Sequence, residues 1–494
     1  MNRFVTNAAL LAAFAASTAL GQAIPERPEK LTYPPISFQV PKANDAKVVL
    51  KNEVPAYLVV DPSGVPLVRV TVSWRGGAYL DPAGKEGLAS LFGSQLAVGG
   101  TQKTDAAKLE ERLEALAATL SSSSGPTSGS LYLQVQEKDL AEGLDLLMQA
   151  LTQPAFEKDR LDLARKSARQ ALERRNDAVT SIAQLQMPRL LFGERFFVVD
   201  DTTAASLDAI SREDLLAFHA ALLHPSNLVV AVSGKLDKKA MVDLLNRTVG
   251  AVKAGPSARP SPKVPAPDFA RTPGLYVCNK DAPQAMLQWA FPGMRRSEPD
   301  WYPAMVMNHV LGGGGFAARL MKKIRSDEGL TYGVRTQLGE GPYWRGDLTG
   351  GLQTKNRSVA YALRLALAEM QRLKDEPLTA AELASIKDGL VESFPAQWGS
   401  RQAVANRFAD ENLNGWPEDW WLDYREKVKA VTAADVQKMA KRLLDFEKMV
   451  VLAVGKASDV EAGDPDHPGA LKDVAKLPLS RVPLRDPLTL EPLP

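Results

Sequence analysis

The chain is poor in the residues that usually carry metal or covalent chemistry. Its four histidines are His219, His224, His309 and His467. None sits in an H-x-x-E-H, H-E-x-x-H or H-x-x-x-H pattern, the spacings that aim two imidazoles from one helix face at one ion. His219 and His224 bracket a helix end before Pro225 and read as cap or packing residues. The single cysteine, Cys278, lies in the strand-like GLYVCNK with no His near it in sequence. It reads as a small buried hydrophobe, and it excludes a disulfide within the chain. No G-x-S-x-G and no Cys–His pair offers a nucleophile. The run GGGG at 312–315 is not followed by G-K-S/T, so it is no phosphate loop; it reads as the end of one helix and a close approach for the next. The segment RSDEGLTY holds Arg325 and Tyr332 seven residues apart. A guanidinium and a phenol are both hydrogen-bond donors. Taken alone, Arg325 also suits the negative end of a helix and Tyr332 suits a strand packed inward.

The elements that would position these groups follow from hydrophobic periodicity. PLVRVTVSW places Val68, Val70, Val72 and Trp74 on one face, a period of two and therefore a half-buried strand. KVVLKN and PAYLVVD read as short strands, and SSSSGPTSGSLYLQVQ reads as a hairpin. Residues 86–97, 105–118, 137–151, 157–177 and 212–222 have apolar positions at three- and four-residue spacing and are predicted helices.

Length and composition bound the class. The chain has 494 residues, 45% hydrophobic and 24% charged, enough for two large domains of ordinary soluble character. A net charge of +2 with no long basic run gives no support for nucleic-acid or acidic-membrane binding. Residues 1–21 read as a cleaved secretory signal: Arg3, a short Ala/Leu-rich run over 8–20, then small residues at Ala19 and Gly21. That run falls short of the about 20 apolar residues a membrane helix needs, and no later stretch supplies one. Export points to a bacterial periplasm or to secretion.

The second half replays the first. QAMLQWAFPG answers VRVTVSWRGG, TKNRSVAYALRLALAEMQRL answers VQEKDLAEGLDLLMQAL, and EPLTAAELASIKDGLVESF answers QPAFEKDRLDLARKSARQAL. TAADVQKMAKRLLDFEKMVVLAVGK answers SREDLLAFHAALLHPSNLVVAVSGK, with both copies closing on Gly-Lys. The expected fold class is α+β: two homologous domains from an internal duplication, each a mainly antiparallel sheet with helices packed on it. The expected boundaries are an extended segment over 22–45, a first domain over 46–254, a Pro-rich linker over 255–273, a second domain over 274–460 and a Pro-rich extended tail over 461–494.

With this duplication, GLASLFGSQLAVGGT, FHAALLHPSNLVVAVSGK and above all GGGGFAARLMKKIRSDEGLTYGV, the mature chain resembles the pitrilysin/insulinase zinc metallopeptidases, the inverzincins. The resemblance implies a clamshell of two homologous domains closing on a peptide. It also implies H-x-x-E-H on a first-domain helix, two His on zinc, the Glu as general base and a later Glu as third ligand. Aligned on the flanking GLA and GGT, the first His position holds Ser90, the Glu position Gly93 and the second His position Ser94. Counting back from Asp177, the two later glutamate positions hold Ala171 and Ala164. The resemblance therefore implies a degenerate metal site and no metal in this chain. Arg325 and Tyr332 match the family's R-x-x-x-G-L-x-Y, whose side chains hold substrate and donate to the carbonyl oxygen that turns negative. Phe316 and Arg319 follow the glycine run as in the family and are assigned to local structure.

Some family members divide the work between a zinc-bearing chain and a zinc-less homologue, as in mitochondrial processing peptidase and paired bacterial enzymes. The expected function is the second type: a non-catalytic subunit that helps bind and position peptides. Its expected partner is a homologous zinc-bearing subunit, in a heterodimer or a dimer of heterodimers, with zinc carried there. The alternative is an inactive peptide-binding scaffold or chaperone that takes extended segments by edge-strand addition.

Overall fold

In the computed structural model the described residues are Arg27 and 38–494, apart from 62–63, 195, 200, 260–261 and 268–270. The expected signal segment and most of the Pro-rich stretch after it lie outside the described residues. Residues 40–494 form one compact unit.

Two six-stranded sheets organise that unit, and they share one topology apart from one edge strand. The first runs β1-β2-β6-β3-β5-β4, from Lys47–Val49, Pro55–Val60, Leu228–Gly234, Leu67–Arg75, Ser128–Gln136 and Thr119–Ser124. The second runs β12-β7-β11-β8-β10-β9, from Leu479–Val482, Gly274–Asn279, Val450–Gly455, Gln284–Pro292, Asp347–Lys355 and Val334–Leu338. The inner positions correspond, so β2 pairs with β6 and β7 with β11 in parallel, and the remaining inner pairs are antiparallel; the outer strand differs, β1 running antiparallel to β2 and β12 parallel to β7. The alternation expected in β3 is present: Val68, Val70, Val72 and Trp74 are fully buried.

The first half carries α1 (Leu88–Gln95), α2 (Ala106–Ala115), α3 (Leu140–Thr152), α4 (Lys158–Glu173), α5 (Val179–Phe192), α6 (Ala204–Ala209), α7 (Arg212–Leu222) and α8 (Lys238–Arg247). The second carries α9 (Trp301–Asn308), α10 (Val359–Asp375), α11 (Ala380–Ser393), α12 (Arg401–Asn414), α13 (Tyr424–Ala430), α14 (Ala433–Leu443) and α15 (Ala457–Ala462). Sequence caps mark several starts. Ser211 with Asp214 and Thr432 with Asp435 form capping boxes at α7 and α14, at corresponding places in the two halves.

Helices α5 and α12 cross between the halves. Helix α5 leaves the first half and packs on β11 and β8 of the second sheet, burying Val179, Ile182, Ala183, Met187 and Leu191 against Cys278, Ala290, Val450, Leu452 and Val454. Each large side chain buried this way contributes roughly 1.5–3 kcal/mol. Helix α12 packs on β6, β2 and β3 of the first sheet. Its last carbonyls, on Asn412 and Leu413, accept from the Arg75 guanidinium at the end of β3, which puts a cation at the negative helix end. Where the chain leaves α12, the buried Arg296 guanidinium stacks over Trp416, Trp420 and Trp421 at 3.7, 4.7 and 4.5 Å. Glu411, which also accepts from the Trp421 indole, lies 3.5 Å from it. The Pro-rich segment thus separates two sheets in sequence, while the helices interlock them.

The tail differs from the expected extended surface segment. Residues 479–482 form β12, an added strand parallel to β7, and Leu471 is fully buried. The pairing partner lies some two hundred residues earlier, so no local signal announces it.

Candidate functional site

Helix α1 begins at Gly87, and the Asp81 carboxylate accepts from Gly87 N at 2.9 Å and Ala89 N at 2.8 Å. These bonds satisfy donors that a helix start leaves free. Burial pushes the Asp81 pKa up to about 6, against the lowering by the same backbone donors. Phe92 on the inner face is fully buried among Trp74, Phe156 and Phe218. This packing fixes the rotation of α1 and leaves Ser90 and Ser94, four residues apart, on the exposed face. The Ser94 hydroxyl donates to Leu91 O at 2.9 Å, so it is occupied locally.

Gly93 faces the edge strand β4. A Cβ placed there would lie 2.1 Å from Ser124 N and 2.6 Å from Ser123 C, both backbone atoms. The Ser122 hydroxyl holds the contact shut: it donates to Gly93 O at 2.6 Å and accepts from Ala97 N at 2.9 Å. The position that the family motif gives to a glutamate therefore has no room for any side chain. On α4, which packs against α1, Ala164 is half-buried against the core and Ala171 is exposed. Serine hydroxyls, a glycine and two alanine methyls make no ligand set for zinc. Among the described residues no group of three His, Cys, Asp or Glu could hold a metal ion. The histidines are used otherwise: His219 Nε2 lies 2.8 Å from Leu151 O, with burial lowering its pKa, and His224 Nε2 lies 2.8 Å from Arg259 O. Burial likewise pushes the Cys278 thiol up to about 11, which keeps it protonated and inert.

Arg325 and Tyr332 come together. Arg325 lies on a π-helical turn, Met321–Asp327, a geometry often met at functional sites. Gly329 at φ +63° ends that turn, and its N–H returns to Arg325 O at 3.1 Å. The reversal brings the guanidinium back to Tyr332, where Arg325 Nε donates to Tyr332 O at 2.9 Å. The loop between them is anchored: Glu328 accepts from Lys323 Nζ at 2.7 Å and the Tyr361 hydroxyl at 2.8 Å, and Thr354 Oγ1 donates to Leu330 O at 2.7 Å. Tyr332 is 93% exposed, so the reading as an inward strand aromatic does not hold. Phe316 is 74% exposed, and the Arg325 guanidinium lies 4.9 Å from its ring centroid and 5.7 Å from that of Tyr332. Sequence reasoning gave Phe316 a local structural role; it is instead the second aromatic wall around the cation. Its place directly after the glycine run, in a segment otherwise built for close packing, was the available signal. Arg319 does serve local structure, through a two-pronged ion pair with Glu382 at 2.7 and 2.8 Å.

Among the described residues, no hydrogen bond, ion pair or ring contact joins Arg325 or Tyr332 to α1 or α4. The arrangement can present a cation and a phenol to a ligand from one side. In the first half, β4 ends its sheet, and among the described residues its outer edge has no strand partner.

Comparison with known proteins agrees with this geometry. Residues 59–193 match the family described as "Insulinase (Peptidase family M16)", and residues 209–390 match "Peptidase M16 inactive domain". A relative named non-peptidase homolog YmxG, from Helicobacter pylori, is 26% identical over 78% of this chain and 86% of its own. A probable mitochondrial-processing peptidase subunit beta from Arabidopsis thaliana is 23% identical over 43% of this chain and 40% of its own. A crystal structure of a peptidase M16 inactive domain from Pseudomonas fluorescens superposes with a TM-score of 0.74 at 22% identity, over 83% of this chain and 97% of that one. With both halves matched in order, and with the duplicated sheets and the R-x-x-x-G-L-x-Y turn in place, the chain belongs to the insulinase family, peptidase family M16.

Proposed function

We propose that this chain is the zinc-less, non-catalytic subunit of a two-chain peptidase, exported to a bacterial periplasm, and that it helps bind and position peptide substrates. One observation carries the reading: the metal-site positions hold no ligand and β4 closes the one at Gly93, while the Arg325–Tyr332 pair stays built and open. Gly93 lies under the backbone of β4, and Ser90, Ser94, Ala164 and Ala171 offer no ligand, yet Tyr332 is 93% exposed beside a positioned guanidinium. A family member kept for packing alone would have no use for such a pair in solvent. Zinc and the general base then belong to a homologous partner chain. The similarity to a processing-peptidase subunit speaks for assembly with other members of the family. Within such an assembly Arg325 and Tyr332 would donate to the substrate carbonyl, where preorganised donors are worth on the order of 3 kcal/mol. The N-terminal segment supports export.

Capture from native extract, with the full mature chain as bait, tests the reading. The expected result is a homologous chain carrying H-x-x-E-H, peptidase activity only in the mixture, and a fall of roughly 100-fold for Arg325→Ala or Tyr332→Phe. Purified chain that keeps stoichiometric zinc after chelator dialysis and cleaves peptides unaided overturns it. The free edge of β4, with Thr119, Ser121 and Ser123 exposed, favours a second reading, a scaffold that binds extended peptides by strand addition. Peptide binding by the lone chain, with no gain in activity from any zinc-bearing homologue, would select it.

A further inference from the structure

Helix α5 belongs to the first half by sequence and to the second sheet by packing. A rotation of one half against the other must therefore bend the two connectors of α5, one around residues 174–178 and one between Phe192 and Ala204. The C-terminal segment touches both. It starts in the second sheet as β12, with Leu275 N donating to Pro478 O at 2.9 Å and with Val482 and Leu484 against the α5 cluster. It then runs along α5, where the buried Gln186 side chain donates to Pro483 O at 2.9 Å. At the first connector, Asn176 Nδ2 donates to Arg485 O at 2.8 Å and Arg175 Nη1 to Pro487 O at 3.3 Å. At the second, Arg485 Nη2 pairs with Glu194 at 2.6 Å, and Ala204 N donates to Leu488 O at 2.8 Å. Leu488 packs into the first-half core. A turn capped by Asp486, which accepts from Leu488 N and Thr489 N, folds the end back so that Leu493 N reaches Leu484 O at 2.7 Å.

The composition suits this path. Proline has no N–H, so a Pro-rich segment lies down by accepting bonds, and here the donors come from the helices and connectors it crosses. Its preset backbone also loses little entropy on docking. We propose that residues 479–494 are a built-in strap that pins both connectors of α5 and so locks the two halves against hinge motion.

Two measurements test this on the full mature chain and on a variant ending at Val482. Amide exchange reports the connectors: the N–H groups of Arg175, Asp177, Ala204 and Ser206 are all bonded in the fold. Spin labels on S123C and Q337C report the spacing of β4 from β9, since Cys278 is fully buried and takes no label. In the truncated chain, exchange at 174–178 and 203–206 rises by about 10-fold or more while β3 and β8 stay protected, and the label distances broaden. If the truncated chain does not fold, Arg485→Ala and Asn176→Ala decide, each giving the same changes in smaller degree. A folded truncated chain, or both point variants, with unchanged connector exchange and unchanged label distances overturns the strap.

Discussion

Replacing glycine by alanine inside a helix usually stabilises a protein by about 0.5–1 kcal/mol, because glycine loses more backbone freedom on folding. Gly93→Ala is expected to do the opposite. The added Cβ would stand 2.1 Å from Ser124 N, where an ordinary contact is about 3.5 Å, so β4 must retreat by roughly 1.4 Å. The obstacle is backbone, which cannot swing aside as a side-chain tip would. Retreat strains the two Ser122 bonds that tie β4 to α1, each worth about 1 kcal/mol, and adds the about 1–3 kcal/mol of an overpacked core. Against these stands the helix gain, leaving a net loss of about 2–4 kcal/mol. Urea denaturation followed by circular dichroism reads it as a lower midpoint at unchanged slope. A G93A chain as stable as the parent, or more so, would mean that α1 and β4 are not sealed, and the case for a closed metal site would go with it.

Three other outcomes follow from the same contacts. The triple change S90H/G93E/S94H restores the motif on paper but not the space, so the purified variant should carry no stoichiometric zinc by mass spectrometry and should unfold earlier than its parent. The Asp81 carboxyl should titrate near pH 6 in the folded chain by NMR. Because the folded state holds that proton more tightly than the unfolded one, Asp81's contribution is most favourable below about pH 4 and declines as pH rises to about 6. Ile182→Ala removes a fully buried side chain where α5 meets the second sheet and should cost about 2–5 kcal/mol, with near-ultraviolet signals from both halves lost in one transition.

Much of this protein is written locally. The alternation of β3, the capping boxes of α7 and α14 and the repeated closing Gly-Lys expose the duplication without coordinates, because period, cap and turn chemistry act over a few residues. The loss of every ligand type at Ser90, Gly93, Ser94, Ala164 and Ala171 is equally a matter of residue identity, as is the R-x-x-x-G-L-x-Y spacing. Helix α5 escaped such reading because apolar residues surround it and Pro188 interrupts it, so it lacks the one-sided period of a surface helix. That Gly93 lies under β4, that Phe316 and Tyr332 flank Arg325 in solvent, that α5 and α12 exchange sheets and that the tail closes over both connectors were decided only in three dimensions. Each depends on which distant segments come within a few ångströms of one another, and that is set by burying the whole chain's apolar surface at once rather than by any stretch alone.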